Sequence, residues 1–175
     1  GEFLFVPYGS CNLGSINLSH FITKDGFDSK RLQEVVRHAT RYLDDVLDHN
    51  LFPVKEITEA TNLTRKLGLG VMGWADTLAL LHIHYDSDEA VEFGKKIMAT
   101  IQGVSHHESC ILAVNKGECP AFEGKDELHT IRNATTTCIA PAGTISVLAS
   151  CSSGIEPHYS LDGVRAMGDG TRLED

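Results

Sequence analysis

Two long stretches of the chain repeat apolar residues at intervals of three and four, and this pattern limits the fold more than any other feature. The first begins after Asp28, a candidate N-cap, and ends near Asn50; its apolar positions are Leu32, Val35, Val36, Ala39, Leu43, Val46 and Leu47. The second covers about 89–115, and Gly117 and Pro120 follow it as stop signals. Such spacing places apolar side chains on one face of a helix. The sequence therefore predicts two long amphipathic helices.

Shorter elements fill the remaining sequence. We predict a helix over about 54–66 and another through Trp74–Leu81. The alternation of apolar and polar residues at 13–18 predicts a half-buried strand near the start of the chain. Residues 135–140 and 144–149 are rich in β-branched side chains on either side of a Pro-Ala-Gly turn. The predicted order is therefore strand, helices, then strand, loop and strand.

Composition excludes several classes of protein. The 175 residues include 24 acidic and 15 basic side chains, a net charge of −9, which disfavours binding to a nucleic-acid backbone. No run approaches the roughly 20 apolar residues needed to span a bilayer, so we expect no membrane contact and a cytoplasmic location. The five cysteines form no C-x-x-C pair, so neither a disulfide framework nor a zinc ribbon is indicated.

Two patterns that suggest cofactors have simpler explanations. Residues 68–73 fit G-x-G-x-x-G, but that motif binds dinucleotides only after a strand, and a predicted helix precedes it here. We favour glycines that let a helix start and pack closely over a dinucleotide site. Nine histidines are present, yet neither the pair His82 and His84 nor the adjacent His106 and His107 completes a ligand set at familiar spacing. No metal site is predicted.

The turn at 141–143 is a candidate anion site. Backbone N–H groups and nearby hydroxyls of Thr144 and Ser146 suit a phosphate group without a lysine. A simple tight turn between two strands explains the same residues equally well. Taken alone, Cys11 is more often a buried packing residue and Glu2 a solvated carboxylate than parts of a catalytic centre.

Five segments taken together resemble a known family. They are Gly1-Glu2, SCNLGSINL at 10–18, TRKLGLGVMGWAD at 64–76, RNATTTCIAPAGTIS at 132–146 and CSSGIEP at 151–157. In order and spacing they resemble the large catalytic subunit of ribonucleotide reductase, most closely its adenosylcobalamin-dependent class II branch. The resemblance implies an α/β fold, with residues 1–175 forming part of a ten-stranded α/β barrel that is helix-rich in this segment. It also implies that 68–73 belongs to a helical scaffold and binds no dinucleotide.

The resemblance further implies a reaction and its residues. The reaction is reduction of ribonucleotides, chiefly ribonucleoside diphosphates, to 2′-deoxyribonucleotides by thiyl-radical chemistry. Glu2 would accept the proton of the substrate 3′-OH, and Cys11 would be one half of the redox-active dithiol. The substrate diphosphate would lie on Pro141, Ala142, Gly143, Thr144 and Ile145, with Ser146 as a further candidate. The other four cysteines match no redox position and are interpreted as packing residues.

The resemblance also implies partners. These are adenosylcobalamin, held mostly by residues outside the chain, a thioredoxin-like or other dithiol reductant, the rest of the catalytic subunit, and a second copy in a homodimer. The radical cysteine is expected just before Gly1, so the 175 residues are expected to be inactive alone. Two alternatives stay open: a class I large subunit that takes its radical from a small subunit, and a non-catalytic interaction module derived from the barrel.

Overall fold

The computed structural model describes residues 7–123, 130–159, 164–166 and 172–174. Five helices and six strands lie in these ranges. The helices are α1 Ser29–His49, α2 Lys55–Thr64, α3 Trp74–Leu80, α4 Asp88–Lys116 and α5 Gly143–Leu148, with a 3₁₀ turn at Leu18–Phe21. The strands are β1 Asn12–Asn17, β2 Ile22–Thr23, β3 Gly26–Phe27, β4 Leu67–Met72, β5 Val164–Ala166 and β6 Arg172–Glu174. Pairs β2–β3 and β5–β6 are short antiparallel ribbons.

β4 is the centre of the fold. It pairs in parallel with β1, from Asn12 opposite Leu67 to Asn17 opposite Met72, and all six of its residues are buried. On its other side an extended segment, residues 134–140, also runs parallel to β4. The Leu67 amide donates to Thr135 O at 2.9 Å and the Leu69 amide to Thr136 O at 3.0 Å. β4 is therefore flanked by backbone on both edges, as the buried strand of a parallel sheet is.

The two long helices cover this sheet and pack on each other. Their apolar faces join β1 and β4 in one core whose buried members are Ile16, Leu18, Phe21, Leu32, Val36, Leu43, Leu47, Leu67, Leu69, Val71, Ile97 and Ile101. The predicted starts and stops are confirmed. Asp28 Oδ1 accepts from the Arg31 amide at 3.0 Å, and Gly117 ends α4 with φ 97°. Only local spacing and capping are needed for these predictions.

Two predictions about secondary structure are wrong. Residues 67–72 are strand β4, so the G-x-G-x-x-G sequence belongs to the sheet and not to a helical scaffold. The expectation that a glycine of this motif starts a helix is confirmed, because Gly73, with φ 72°, is the N-cap of helix α3. The β-branched run after the Pro-Ala-Gly turn forms helix α5 and not a strand. Local β propensity yields there to the packing of the segment against its neighbours.

Candidate active site

Cys11 lies immediately before β1, and its thiol is exposed. The side chains on either side of it are hydrogen-bonded to helices. Ser10 Oγ lies 2.5 Å from Thr61 Oγ1 of α2, and Asn12 Nδ2 donates to Leu43 O of α1 at 2.8 Å. The predicted redox thiol therefore stands at a defined position, open to a reaction partner. The predicted catalytic Glu2 lies outside the described residues.

The predicted phosphate residues, 141–146, hereafter the phosphate turn, form the start of α5. Ala142 is the N-cap residue and is buried, whereas Pro141, Gly143, Thr144 and Ile145 are exposed. The amides of Thr144 and Ile145 belong to the first turn, where a helix offers no internal acceptor. These two amides and the exposed Thr144 hydroxyl can donate hydrogen bonds to an anion.

Ser146 is placed differently from the other members of the phosphate turn. It is fully buried, and its hydroxyl donates to Gly143 O at 3.0 Å, while its amide donates to Ala142 O at 2.8 Å. Ser146 therefore closes the turn on itself. Its contribution in this structure is to hold the backbone of the first turn of α5.

The extended segment beside β4 leads into the phosphate turn and positions it. The Cys138 amide donates to Leu69 O at 3.3 Å, and a Cβ on Gly70 would collide with the Cys138 carbonyl oxygen. Only glycine lets the two backbones approach this closely. The G-x-G-x-x-G sequence therefore has a packing role that leads directly to the phosphate turn.

Cys11 and the phosphate turn lie at opposite ends of the parallel sheet. Cys11 precedes the amino end of β1, at the level of Lys66, since Asn12 pairs with Leu67. Pro141 follows Ala140, whose amide lies beside Gly70. Five residues of strand separate these levels, about 16 Å along the strand direction at about 3.3 Å each.

A loop after α5 caps helix α3. Ser152 Oγ accepts from the Ala75 amide at 3.1 Å and from the Asp76 amide at 3.4 Å, and Ser152 O accepts from the Gly73 amide at 2.7 Å. In return Asp76 Oδ2 accepts from the Ser152 amide at 2.6 Å. Sequence reasoning missed these residues. The signal was Gly73 itself, an N-cap residue without a side chain to accept hydrogen bonds.

A second polar cluster was also missed, at the opposite end of β4. Asp44 of α1 is fully buried and accepts hydrogen bonds from Arg65, Arg132 and Asn133 at 2.8–2.9 Å. Burial by itself would raise the pKa of Asp44, but these hydrogen bonds and the charge of Arg65 outweigh it and hold the pKa below the ordinary value. Lys116 reaches the same carboxylate at 3.3 Å.

This cluster is balanced in charge. Asp44, Asp45 and Asp48 gather closely enough to suggest a cation site, yet each pairs with at least one of Arg65, Arg132 and Lys116. Three negative charges therefore face three positive ones. The arrangement is a structural ion-pair network and offers no surplus charge for a metal ion.

The remaining cysteines fit the packing interpretation to different degrees. Cys119 and Cys138 are buried, while Cys110 and Cys151 are half-buried. Burial raises the pKa of the Cys119 thiol, and burial together with the charge of Asp76 raises the pKa of Cys151. Both thiols are thus held in the protonated, less nucleophilic form.

Comparison with known proteins decides the family. A family model described as the barrel domain of ribonucleotide reductase matches residues 1–131 and 126–174. The chain belongs to the ribonucleotide reductase barrel-domain family. The resemblance seen in the motifs and the α/β fold class are thereby confirmed, and β4 with its parallel neighbours forms part of the barrel of this family.

Individual relatives of this family are similar along nearly the whole chain. A vitamin B12-dependent ribonucleoside-diphosphate reductase of Thermoplasma acidophilum is 52% identical over 178 residues, covering 99% of the chain and 23% of the relative. One of Mycobacterium tuberculosis is 46% identical, covering 95% and 24%. A ribonucleoside-diphosphate reductase subunit alpha of Chlamydia muridarum is 35% identical, covering 85% and 18%. The chain thus spans about a quarter of the length of the B12-dependent relatives.

Within the described residues of this ribonucleotide reductase segment, no helix has the length and apolar character required to cross a membrane.

Proposed function

We propose that the protein carrying this chain reduces ribonucleoside diphosphates to 2′-deoxyribonucleoside diphosphates by thiyl-radical chemistry. The main support is membership of the reductase barrel family together with 52% and 46% identity to enzymes named for this reaction. The structure adds that the exposed Cys11 precedes β1 and the phosphate turn follows the segment on the other edge of β4, so one central strand positions both. We take residues 1–175 as one part of a single barrel domain.

The proposed chemistry balances with two thiols. Cys11 and a second cysteine give up two electrons and become a disulfide, the C2′–O bond of the substrate breaks, and a C2′–H bond forms. The 2′-hydroxyl leaves as water with a proton from the thiols. Glu2 takes and returns the proton of the 3′-hydroxyl, as a general base within hydrogen-bond reach does. A thioredoxin-like or other dithiol protein would then reduce the disulfide.

The phosphate turn would fix the other end of the substrate. The amides of Thr144 and Ile145 and the Thr144 hydroxyl would donate to the terminal phosphate. Hydrogen bonds from backbone amides carry no counter-charge, but the aligned dipoles of the turn favour an anion there. Pro141, Ala142 and Gly143 would shape the entry to the turn, and Ser146 would hold it closed.

We propose adenosylcobalamin as the source of the radical, following the names of the B12-dependent relatives. Two cavities among the described residues, of about 320 and 440 Å³, are at the lower end of the range for ordinary ligands and do not enclose a corrin. Neither cavity holds the cofactor whole, so we propose that its binding residues lie mostly outside this chain. We also propose a homodimer in the cytoplasm.

One experiment tests the proposal and its alternatives. The full gene product is supplied with a ribonucleoside diphosphate, adenosylcobalamin and a dithiol, and deoxynucleotide is measured by chromatography. Product that depends on adenosylcobalamin supports the proposal. Product that instead requires a separate radical-generating subunit identifies a class I enzyme. No product under either condition would overturn the proposal in favour of a non-catalytic module.

A further inference from the structure

We infer that Ser152 and Asp76 form a clasp that positions the phosphate turn for the substrate. The clasp consists of these two residues and the first turn of α3, and the inference rests on the proposed function of the turn. Neither residue is assigned to substrate contact; both would act through the backbone of α5. The support comes from how the two ends of the 140–152 segment are attached.

The clasp is a capping box made between distant parts of the chain. In an ordinary capping box the N-cap side chain accepts from an amide in the first turn, and an acidic side chain in that turn accepts from the N-cap amide. Here Gly73 occupies the N-cap and has no side chain, and Ser152 accepts from the Ala75 and Asp76 amides in its place. Asp76 Oδ2 completes the exchange at 2.6 Å from the Ser152 amide.

Ser152 is buried and Asp76 is half-buried, and the polar groups of both have hydrogen-bond partners. Ser152 has 9% of its surface exposed. The second oxygen of Asp76 is engaged by His158 Nε2 at 2.9 Å, so both carboxylate oxygens have partners. A carboxylate held at both oxygens cannot rotate without losing a bond. Asp76 therefore fixes Ser152 relative to α3 and, through α3, relative to β4.

A short path joins the clasp to the phosphate turn. The Cys151 amide donates to Ser146 O at 3.0 Å, and the Ala149 amide donates to Ile145 O at 3.0 Å. On its other side the turn follows the segment that is bonded to β4. The turn is thus held between β4 and the start of α3, two consecutive elements of one strand–helix unit. Release of the clasp would free one of its two attachments.

Small displacements of such a turn matter for binding. Its amides must point at the phosphate oxygens. A misplacement of about 1 Å in a positioning group can lower the reaction rate by on the order of 100-fold. The clasp loses two hydrogen bonds in Ser152→Ala, so we expect the KM for a ribonucleoside diphosphate to rise about tenfold, with kcat changed less. A tenfold change lies well outside the error of steady-state kinetics.

The matched control is Ser87→Ala in α4. Ser87 Oγ caps α4 by accepting from the Ala90 amide at 3.1 Å, so this variant also removes a serine cap from a helix, but without any contact to the phosphate turn. Both variants should lower the melting temperature by similar amounts. Only Ser152→Ala should raise KM. An equal KM in the two variants would show that Ser152 is merely a stabilising cap and would overturn the inference.

A second variant covers the case in which Ser152→Ala does not fold. Asp76→Asn keeps the Ser152 hydroxyl and one side-chain carbonyl oxygen but removes the negative charge of Asp76. The hydrogen bond from the Ser152 amide is then no longer charge-assisted, so KM should rise about threefold to tenfold. An unchanged KM in Asp76→Asn overturns the inference. All assays use the full gene product; failure of the wild-type protein to reduce any ribonucleotide would refute the proposed function, whereas an active wild type with unaltered variants would refute the clasp alone.

Discussion

A methyl group added at Gly70 should separate β4 from the segment that carries the phosphate turn. A Cβ built on Gly70 would lie nearer than 3.0 Å to the carbonyl oxygen of Cys138 and 3.6 Å from the Ala140 amide nitrogen. Both neighbours are backbone atoms and cannot rotate away as a side chain would. A carbon and a carbonyl oxygen rest at about 3.3–3.6 Å, so the two backbones must part by about an ångström.

The energetic cost can be estimated from what the separation disturbs. Overpacking in a close-packed core costs about 1–3 kcal/mol. The hydrogen bonds from the Leu69 amide to Thr136 O and from the Cys138 amide to Leu69 O would lengthen, and each contributes about 0.5–1.5 kcal/mol. Since neither bond is lost completely, we expect Gly70→Ala to destabilise the protein by about 2–4 kcal/mol in total.

The control for this prediction is Gly14→Ala in the neighbouring strand β1. A Cβ there would lie 3.5 Å from Leu43 Cδ2, an ordinary contact with a side chain. The urea midpoint of each full gene product, followed by circular dichroism, is the measurement. Gly14→Ala should leave the midpoint within error of the wild type or raise it slightly. A Gly70→Ala midpoint equal to that of the wild type, or an equal loss in both variants, would refute the packing argument.

Three further predictions concern charge and chemistry. Asp44→Asn removes the buried carboxylate that Arg65 and Arg132 share and should cost about 3–5 kcal/mol in thermal or chemical unfolding, against less than about 1 kcal/mol for the exposed Asp45→Asn. The pKa of Asp44 is lower in the folded protein than in the unfolded chain. The ionised Asp44 carboxylate therefore stabilises the fold fully above the unfolded pKa of about 3.9, and this stabilisation is lost as pH falls through the folded pKa. The unfolding midpoint of Asp44→Asn should accordingly depend less on pH below about 4 than that of the wild type. Cys11→Ser should spare a single radical event yet abolish multiple turnover with a dithiol, whereas Cys110→Ser should keep turnover; full turnover in Cys11→Ser would exclude its redox role. Glu2→Gln should lower kcat far more than it changes substrate KM, and an unchanged kcat would remove Glu2 from the mechanism.

The elements that can be predicted from the sequence are those whose cause is local. Helices α1 and α4 carry their own apolar periodicity and their own caps at Asp28 and Gly117, so no distant residue is needed to specify them. β4 lacks such a signal. A strand buried on both faces shows no alternation, and its glycines resemble a helix start as much as a strand. The strand prediction fails at α5 because β-branched residues at 144–147 favour a strand locally, and tertiary packing overrides that preference.

The same difference between local and distant causes decides which residues of the candidate site can be predicted from the sequence. Cys11 and residues 141–146 stand within continuous motifs, so the resemblance of those motifs to a family is enough to locate them. Ser152 and Asp76 are 76 residues apart, and their reciprocal bonds exist only once α3 and the loop after α5 meet. The same holds for Asp44 and Asn133, which are 89 residues apart. Polar pairs of this kind have no sequence pattern because each partner, taken alone, resembles an ordinary surface residue.

These two polar assemblies explain how a segment with little regular structure can hold the phosphate turn in place. Asn133 is tied to Asp44 at the amino end of β4, residues 135–138 are bonded along β4, and Ser152 is tied to Asp76 beyond its carboxyl end. The segment is therefore anchored before, along and after the strand, and the turn lies between the last two anchors. The Asp44 cluster is buried and charged, so its loss should appear chiefly as instability. In the clasp, Ser152 is uncharged and the clasp is adjacent to the phosphate turn. Its loss should therefore appear chiefly as a higher KM for the substrate.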